Sequence, residues 1–261
     1  MIDLDYIRNF YPTHIANNIN FHKHLIKEHI ELMALDYLAS TDHLRKLCFI
    51  GGTNLRLIKG IDRFSEDLDF DCKGIDEDEF LKITDDVITF FRRNGLNTEP
   101  RDKSNPNLTA FRRSIYFPEL LFDLGLTGHR EQRFLLKIEA QDQGVVYEPR
   151  MAQVARNGFV FQVPVPPDST LLSMKLSALL SRAKGRDFYD TIFLWQQTEP
   201  DYTYLSTREG IADRESLISA LEKKIATTDL EMKIRDFEHL LFNSANTERI
   251  RQFGHFIESR K

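Results

Sequence analysis

The spacing of apolar positions changes along the chain, and the changes mark its elements. Over residues 20–40, Leu25, Ile26, His29, Leu32 and Met33 recur at helical spacing and predict one long helix with a single apolar face. Leu47–Ile50 is a short buried strand, Thr53 opens a helix to Lys59, and Gly60 stops it. A second strand covers 68–72. Residues 76–94 form an amphipathic helix with an acidic start, ended by Gly95. Two extended segments follow at 96–101 and 109–117, then a strong strand at 134–140 and a last one at Phe159–Val165, closed by Pro164, Pro166 and Pro167. Beyond the prolines the character becomes helical: a helix from Asp168 or Ser169 to Arg182, then 186–197, 216–227, 230–241 and 247–258. The pattern predicts an α+β chain, with a mixed-sheet unit at 1–165 and a helical unit at 166–261. The stripe of Phe188, Ile192 and Trp195 reads as core.

Composition narrows the class. With 41% hydrophobic and 29% charged residues, the 261-residue chain is of ordinary globular type. A formal charge of -5 excludes a globally basic nucleic-acid binder. Cys48 and Cys72 fall on the first two strands and read as small core residues, not as a disulfide framework. The N-terminus lacks a basic stretch followed by an apolar run, and no apolar stretch reaches the roughly 20 residues that span a bilayer. A cytoplasmic protein with no membrane partner is the expectation.

The candidate chemistry begins at Gly51-Gly52-Thr53. Glycines let backbone approach a ligand closely, and Thr53 can offer its hydroxyl and amide to a phosphate at a helix start. A tight turn with Thr53 as an ordinary cap is the plainer alternative. Neither a P-loop nor a dinucleotide fingerprint is present. Downstream, Asp67 and Asp69 alternate with Leu68 and Phe70, so both carboxylates face one way. Like charges this close need a cation. Beside a glycine turn they suit Mg²⁺ and the phosphates of a nucleotide. Glu139, on a strand otherwise made of Leu136, Ile138 and Ala140, is the candidate third metal ligand; a charge facing water is its alternative. Lys175 lies along an apolar stripe, where its ammonium either meets an anion such as a triphosphate or snorkels to solvent. Asp187 can orient Lys175, cap a helix, or act as base on an incoming hydroxyl.

Together, Gly51-Gly52-Thr53-x-Leu55-x₄-Gly60-x₂-Arg63-x-Ser65-x-Asp67-Leu68-Asp69-Phe70 resembles the signature of the AbiEii/AbiGii-type nucleotidyltransferase toxins, a branch of the DNA polymerase β-like superfamily. Lys175 and Arg182-x-Lys184-x-Arg186-Asp187-x₂-Asp190 are similar to that family's later motifs, so the resemblance spans residues 48–195. It implies a nucleotidyltransferase domain followed by a helical domain. It also implies transfer of a nucleotidyl group from an NTP, with Mg²⁺ on Asp67, Asp69 and Glu139, and phosphates on Gly51, Gly52, Thr53, Arg63 and Ser65. Lys175 would offset charge on the leaving pyrophosphate. The implied partners are an RNA acceptor, in some members the tRNA acceptor end, and a cognate antitoxin protein. Arg101, Lys103, Arg112, Arg113, Arg130, Arg133 and Lys137 outnumber the acids among them, which suits a nucleic-acid path or a solvated hairpin face. A small-molecule nucleotidyltransferase, a non-catalytic nucleotide-binding regulator and a plain interaction protein are the rival readings.

Overall fold

The computed structural model describes residues 2–101 and 110–261. Asp102 and Lys103 of the basic segment, and Thr109 at the head of an expected extended segment, lie outside the described residues. The chain divides into two units. One comprises Met1–Gly60, Phe64–Gln143 and Arg150–Val165; the other comprises Ile61–Arg63, Gly144–Pro149 and Pro166–Lys261.

The first unit is built on a five-stranded mixed sheet of order β1-β2-β5-β4-β3. Its strands are β1 (Leu47–Ile50), β2 (Asp67–Cys72), β3 (Glu99–Pro100), β4 (Phe111–Tyr116) and β5 (Leu135–Gln141). A separate hairpin pairs β6 (Arg150–Arg156) with β7 (Phe159–Val165). β2 runs parallel to β5 and antiparallel to β1, and β4 runs antiparallel to β5. The register sets Asp67 opposite Lys137, Asp69 opposite Glu139, and Glu139 opposite Arg112. Alternation then separates the two faces. Leu68, Phe70, Leu136, Ile138, Ala140 and Ile115 are buried, while Asp67, Asp69, Lys137, Glu139 and Arg112 share the more open face.

Helix α1 (His22–Ala39) touches β5 and β7. It is buried on more than the one face that its spacing predicts, with Lys27, Glu28 and Glu31 buried and His29 and Met33 only partly so. A helix packed on several sides keeps little wet surface. Helix α2 (Gly51–Asn54) continues as a π turn (Leu55–Lys59), which Gly60 ends in the left-handed region at φ 74°. Helix α3 (Glu77–Arg93) is capped by Asp76, which accepts the Glu79 amide at 2.8 Å. It packs on β4 through Phe80 stacked on Phe111, and Phe91, Phe117 and Phe134 continue edge-to-face. Each such buried ring contributes roughly 1.5–3 kcal/mol. β6 is absent from the sequence reading because only Val154 along it is buried, so no alternation is visible.

The second unit is helical. Its longer helices are α4 (Asp168–Arg182), α5 (Gly185–Trp195), α6 (Tyr202–Glu209) and α7 (Arg214–Ala226). Phe188 and Trp195 are buried as the stripe predicts, with Phe253 and Phe256 against them. The helix expected over 230–241 stops at Arg235, because Phe237 turns inward beneath Tyr189 and the Arg63 guanidinium. The helix expected over 247–258 is two short pieces that break at Gln252. Among the described residues no strand follows Val165; a single bridge joins Arg63 to Leu241. No helix among them is long and apolar enough to cross a membrane.

Candidate active site

In the first unit, strand β1 ends at Ile50 and the chain turns at once into α2. Gly51 makes the turn with φ 82°, a conformation that side chains resist. A Cβ there would lie 2.1 Å from Oδ2 of Asp69, so the absent side chain is the space that the carboxylate fills. Thr53 does not open the helix. It is fully buried at the third position of the helix, and its hydroxyl donates to the Asp67 carbonyl at 2.6 Å. That hydroxyl is spent on tying α2 to the head of β2, which corrects its expected role on a phosphate. Ser65 is buried just ahead of β2.

Asp67 and Asp69 leave the same face of β2, each partly exposed. The Lys137 ammonium stands 3.5 Å from Asp67, so a cation already occupies the position that paired acids require. Two carboxylates on one strand face beside a glycine turn are hard oxygen donors, and they fit a divalent cation such as Mg²⁺. Glu139 does not complete the set. It lies next to Asp69 on the parallel strand, but Arg112 donates to its carboxylate at 2.7 Å. Among the described residues no three His, Cys, Asp or Glu side chains are grouped to hold a metal.

A cavity of about 180 Å³ opens beside Asp67, lined by Lys23, His24, Lys27, Glu66, Arg133, Phe134 and Lys137 among others. Lys27 donates to the Leu135 carbonyl and sits 5.4 Å from the centre of the Phe134 ring. Burial draws its pKa below the usual lysine value, against the opposing pull of Glu31 and Asp67. Burial likewise pushes Glu31, one helical turn away, well above the carboxylate range.

The other expected site residues belong to the helical unit. Arg63 is not a phosphate contact at a pocket rim. It is buried, and it grips Asp190 through two hydrogen bonds of 2.7 Å. The Lys175 ammonium is 2.8 Å from the same carboxylate. Burial alone would raise the Asp190 pKa, but the charges and hydrogen bonds of Arg63 and Lys175 outweigh it and hold it at about 2. Asp187 neither orients Lys175 nor faces an incoming hydroxyl. It is fully buried, takes two hydrogen bonds from Arg182 at 2.9 and 3.0 Å, and accepts the Lys184 amide that begins α5. Asp190, one turn further on, is the carboxylate that holds Lys175.

The family model for the nucleotidyl transferase AbiEii toxin of type IV toxin–antitoxin systems matches residues 34–255. The chain belongs to the AbiEii nucleotidyltransferase toxin family.

Solved structures agree on the fold. MenT4, the nucleotidyltransferase toxin Rv2826c from Mycobacterium tuberculosis H37Rv, superposes with a TM-score of 0.64 at 16% identity, over 99% of this chain and 90% of that one. JHP933 from Helicobacter pylori gives 0.54 at 20% identity, over 91% of both chains. No curated protein matches the sequence. This AbiEii protein is therefore a nucleotidyltransferase of the toxin–antitoxin class.

Sequence reasoning missed Lys137, Lys23 and Lys27 as neighbours of Asp67, and Asp190 as the partner of Lys175. Period-two spacing puts Lys137 on the Glu139 face, and the parallel register that brings it to Asp67 is a tertiary fact. Substitution of Gly51 tests the turn in this AbiEii toxin. Gly51→Ala must bear both the positive φ and the clash with Asp69, and is expected to cost about 1–3 kcal/mol of stability while displacing the carboxylate. Thermal unfolding and transferase rates should both fall; unchanged rates would show that Asp69 does not act where it sits.

Proposed function

We propose that this AbiEii-family toxin transfers a nucleotidyl group from an NTP to RNA, with the tRNA acceptor end as its substrate and Mg²⁺ held by Asp67 and Asp69. The supporting observation is the packing of Asp69 into the space left by Gly51, with Asp67 beside it on the same face. A divalent cation bound there would neutralise phosphate charge and lower the pKa of the attacking hydroxyl.

The chain's own groups do the remaining work. Backbone amides at Gly51 and Gly52 receive the phosphates of the NTP. Thr53 fixes α2 against the head of β2, which keeps those amides and Asp67 in register. Lys137 balances the charge of Asp67. Glu139 stays with Arg112 and is assigned no metal. As a toxin of a type IV pair, the protein has an antitoxin as its cognate partner.

Incubation with each labelled NTP, unfractionated tRNA and Mg²⁺ tests the proposal. Label is expected in tRNA with one or more of the NTPs, and EDTA should abolish it. Label found only on small molecules would overturn the RNA acceptor, and equal labelling in EDTA would overturn the metal.

A further inference from the structure

We infer that the cavity beside Asp67 is the subsite for a backbone phosphate of the acceptor RNA, separate from the place of the NTP phosphates. The cavity can serve so only if the acceptor is RNA, as proposed above.

Three observations carry the assignment. First, the two flanks of the carboxylate pair differ. Asp69 packs on the glycine turn, whereas Asp67 lines the cavity. In nucleotidyl transfer the attacking and leaving oxygens lie roughly in line through the phosphorus. With the NTP phosphates on the glycine turn, the attacking hydroxyl and the strand that carries it must approach from the opposite flank, which is the Asp67 flank.

Second, the cavity is cationic, and two of its four cations stand apart from the pairings already described. Lys23, Lys27, Arg133 and Lys137 line it against Glu66 and Asp67. Lys23 and Arg133 are exposed, and neither has a hydrogen-bond or ion-pair partner among the described residues. Unpaired cations around a small cavity suit a phosphate diester better than an uncharged acceptor.

Third, a neighbouring cavity shares Arg133 with it. A second cavity, of about 370 Å³, is lined by Arg101, Tyr116, Arg130 and, again, Arg133. Tyr116 in the second cavity is the cross-strand partner of Leu135 in the first. The second cavity is close to charge-balanced, since Arg101 pairs with Glu99 at 3.4 Å and Arg130 with Glu119 at 3.3 Å. It offers a flat pair instead: the Arg101 guanidinium lies 4.7 Å from the Tyr116 ring centre, and both residues line the cavity. A cationic cavity next to an aromatic ring and its guanidinium neighbour matches the way proteins track single-stranded nucleic acid.

The test is binding of unfractionated tRNA, without NTP, to the full-length protein and to its Lys23→Glu and Arg133→Glu variants, at several salt concentrations. Both positions are exposed, so the fold should survive; thermal unfolding checks this. Each variant is expected to bind tRNA about tenfold or more weakly, with the slope of log affinity against log salt shallower by roughly 0.7–1 per lost phosphate contact. Calorimetric binding of the NTP should not change. Lys23→Gln and Arg133→Gln should show the same loss in smaller degree. Unchanged tRNA affinity in both charge reversals would overturn the assignment, as would a loss confined to NTP binding. A wild-type protein that binds tRNA through Lys23 and Arg133 but labels no RNA would sink the RNA-transferase function and with it the acceptor role of the site, leaving only an RNA-phosphate contact. A protein that labels tRNA equally well in all variants would do the reverse.

Discussion

Asp69→Ala is expected to reduce incorporation of labelled nucleotide by about 10³-fold or more, with little loss of stability. A metal clamp on phosphate oxygens contributes several kcal/mol to the transition state, and each 1.36 kcal/mol is about tenfold in rate. Asp69 is partly exposed at an open sheet face, so alanine leaves the core of Leu68, Phe70 and Ile138 as it was. Asp67→Ala should lose as much activity, although it also leaves Lys137 without the carboxylate at 3.5 Å. Single-turnover labelling, alongside circular dichroism to verify the fold, measures both. A variant that keeps a tenth of the wild-type rate would remove that carboxylate from the metal.

Asp190→Ala should have the largest effect on stability, about 3–5 kcal/mol, because it leaves Arg63 and Lys175 buried without their shared counter-ion. Lys175→Met should cost less, about 1 kcal/mol, since Arg63 still neutralises Asp190 through two hydrogen bonds. Acid reports the same cluster. The folded pKa of Asp190 is about 2, below the ordinary aspartate value of 3.8. Its contribution, about 2 kcal/mol, is therefore fully present above pH 3.8 and is lost as pH falls towards 2. Urea unfolding followed by the fluorescence of Trp195, the single tryptophan and part of the helical unit, reads all three effects. An Asp190→Ala midpoint equal to wild type would show that the two cations find other partners.

The α+β fold and its mixed sheet were legible because β1, β2 and β5 combine apolar runs with local stop signals such as Gly60 and the prolines after Val163. β6 was not, since a strand with one buried residue carries no apolar period. The helix over 230–241 failed for a different reason: periodicity cannot show that Phe237 is drawn inward by Tyr189 and Arg63 from distant parts of the sequence. At the site, the shared face of Asp67 and Asp69 follows from alternation alone. Which cation meets which acid does not. Lys175, Asp187 and Asp190 lie within a few turns of one another, and only packing decides that Asp190 takes the lysine while Asp187 takes Arg182 and the Lys184 amide. Thr53 shows the limit of cap rules, because its hydroxyl had a nearby strand carbonyl to reach.

Capture of a nucleoside triphosphate by the Asp67–Asp69 pair through a divalent cation is the central claim, and calorimetric titration of the NTP tests it most directly. With Mg²⁺ present, the wild-type protein should release or absorb heat to saturation, while EDTA or Asp69→Ala should leave only dilution heats. Equal binding in EDTA, or full binding by Asp69→Ala, would contradict the claim.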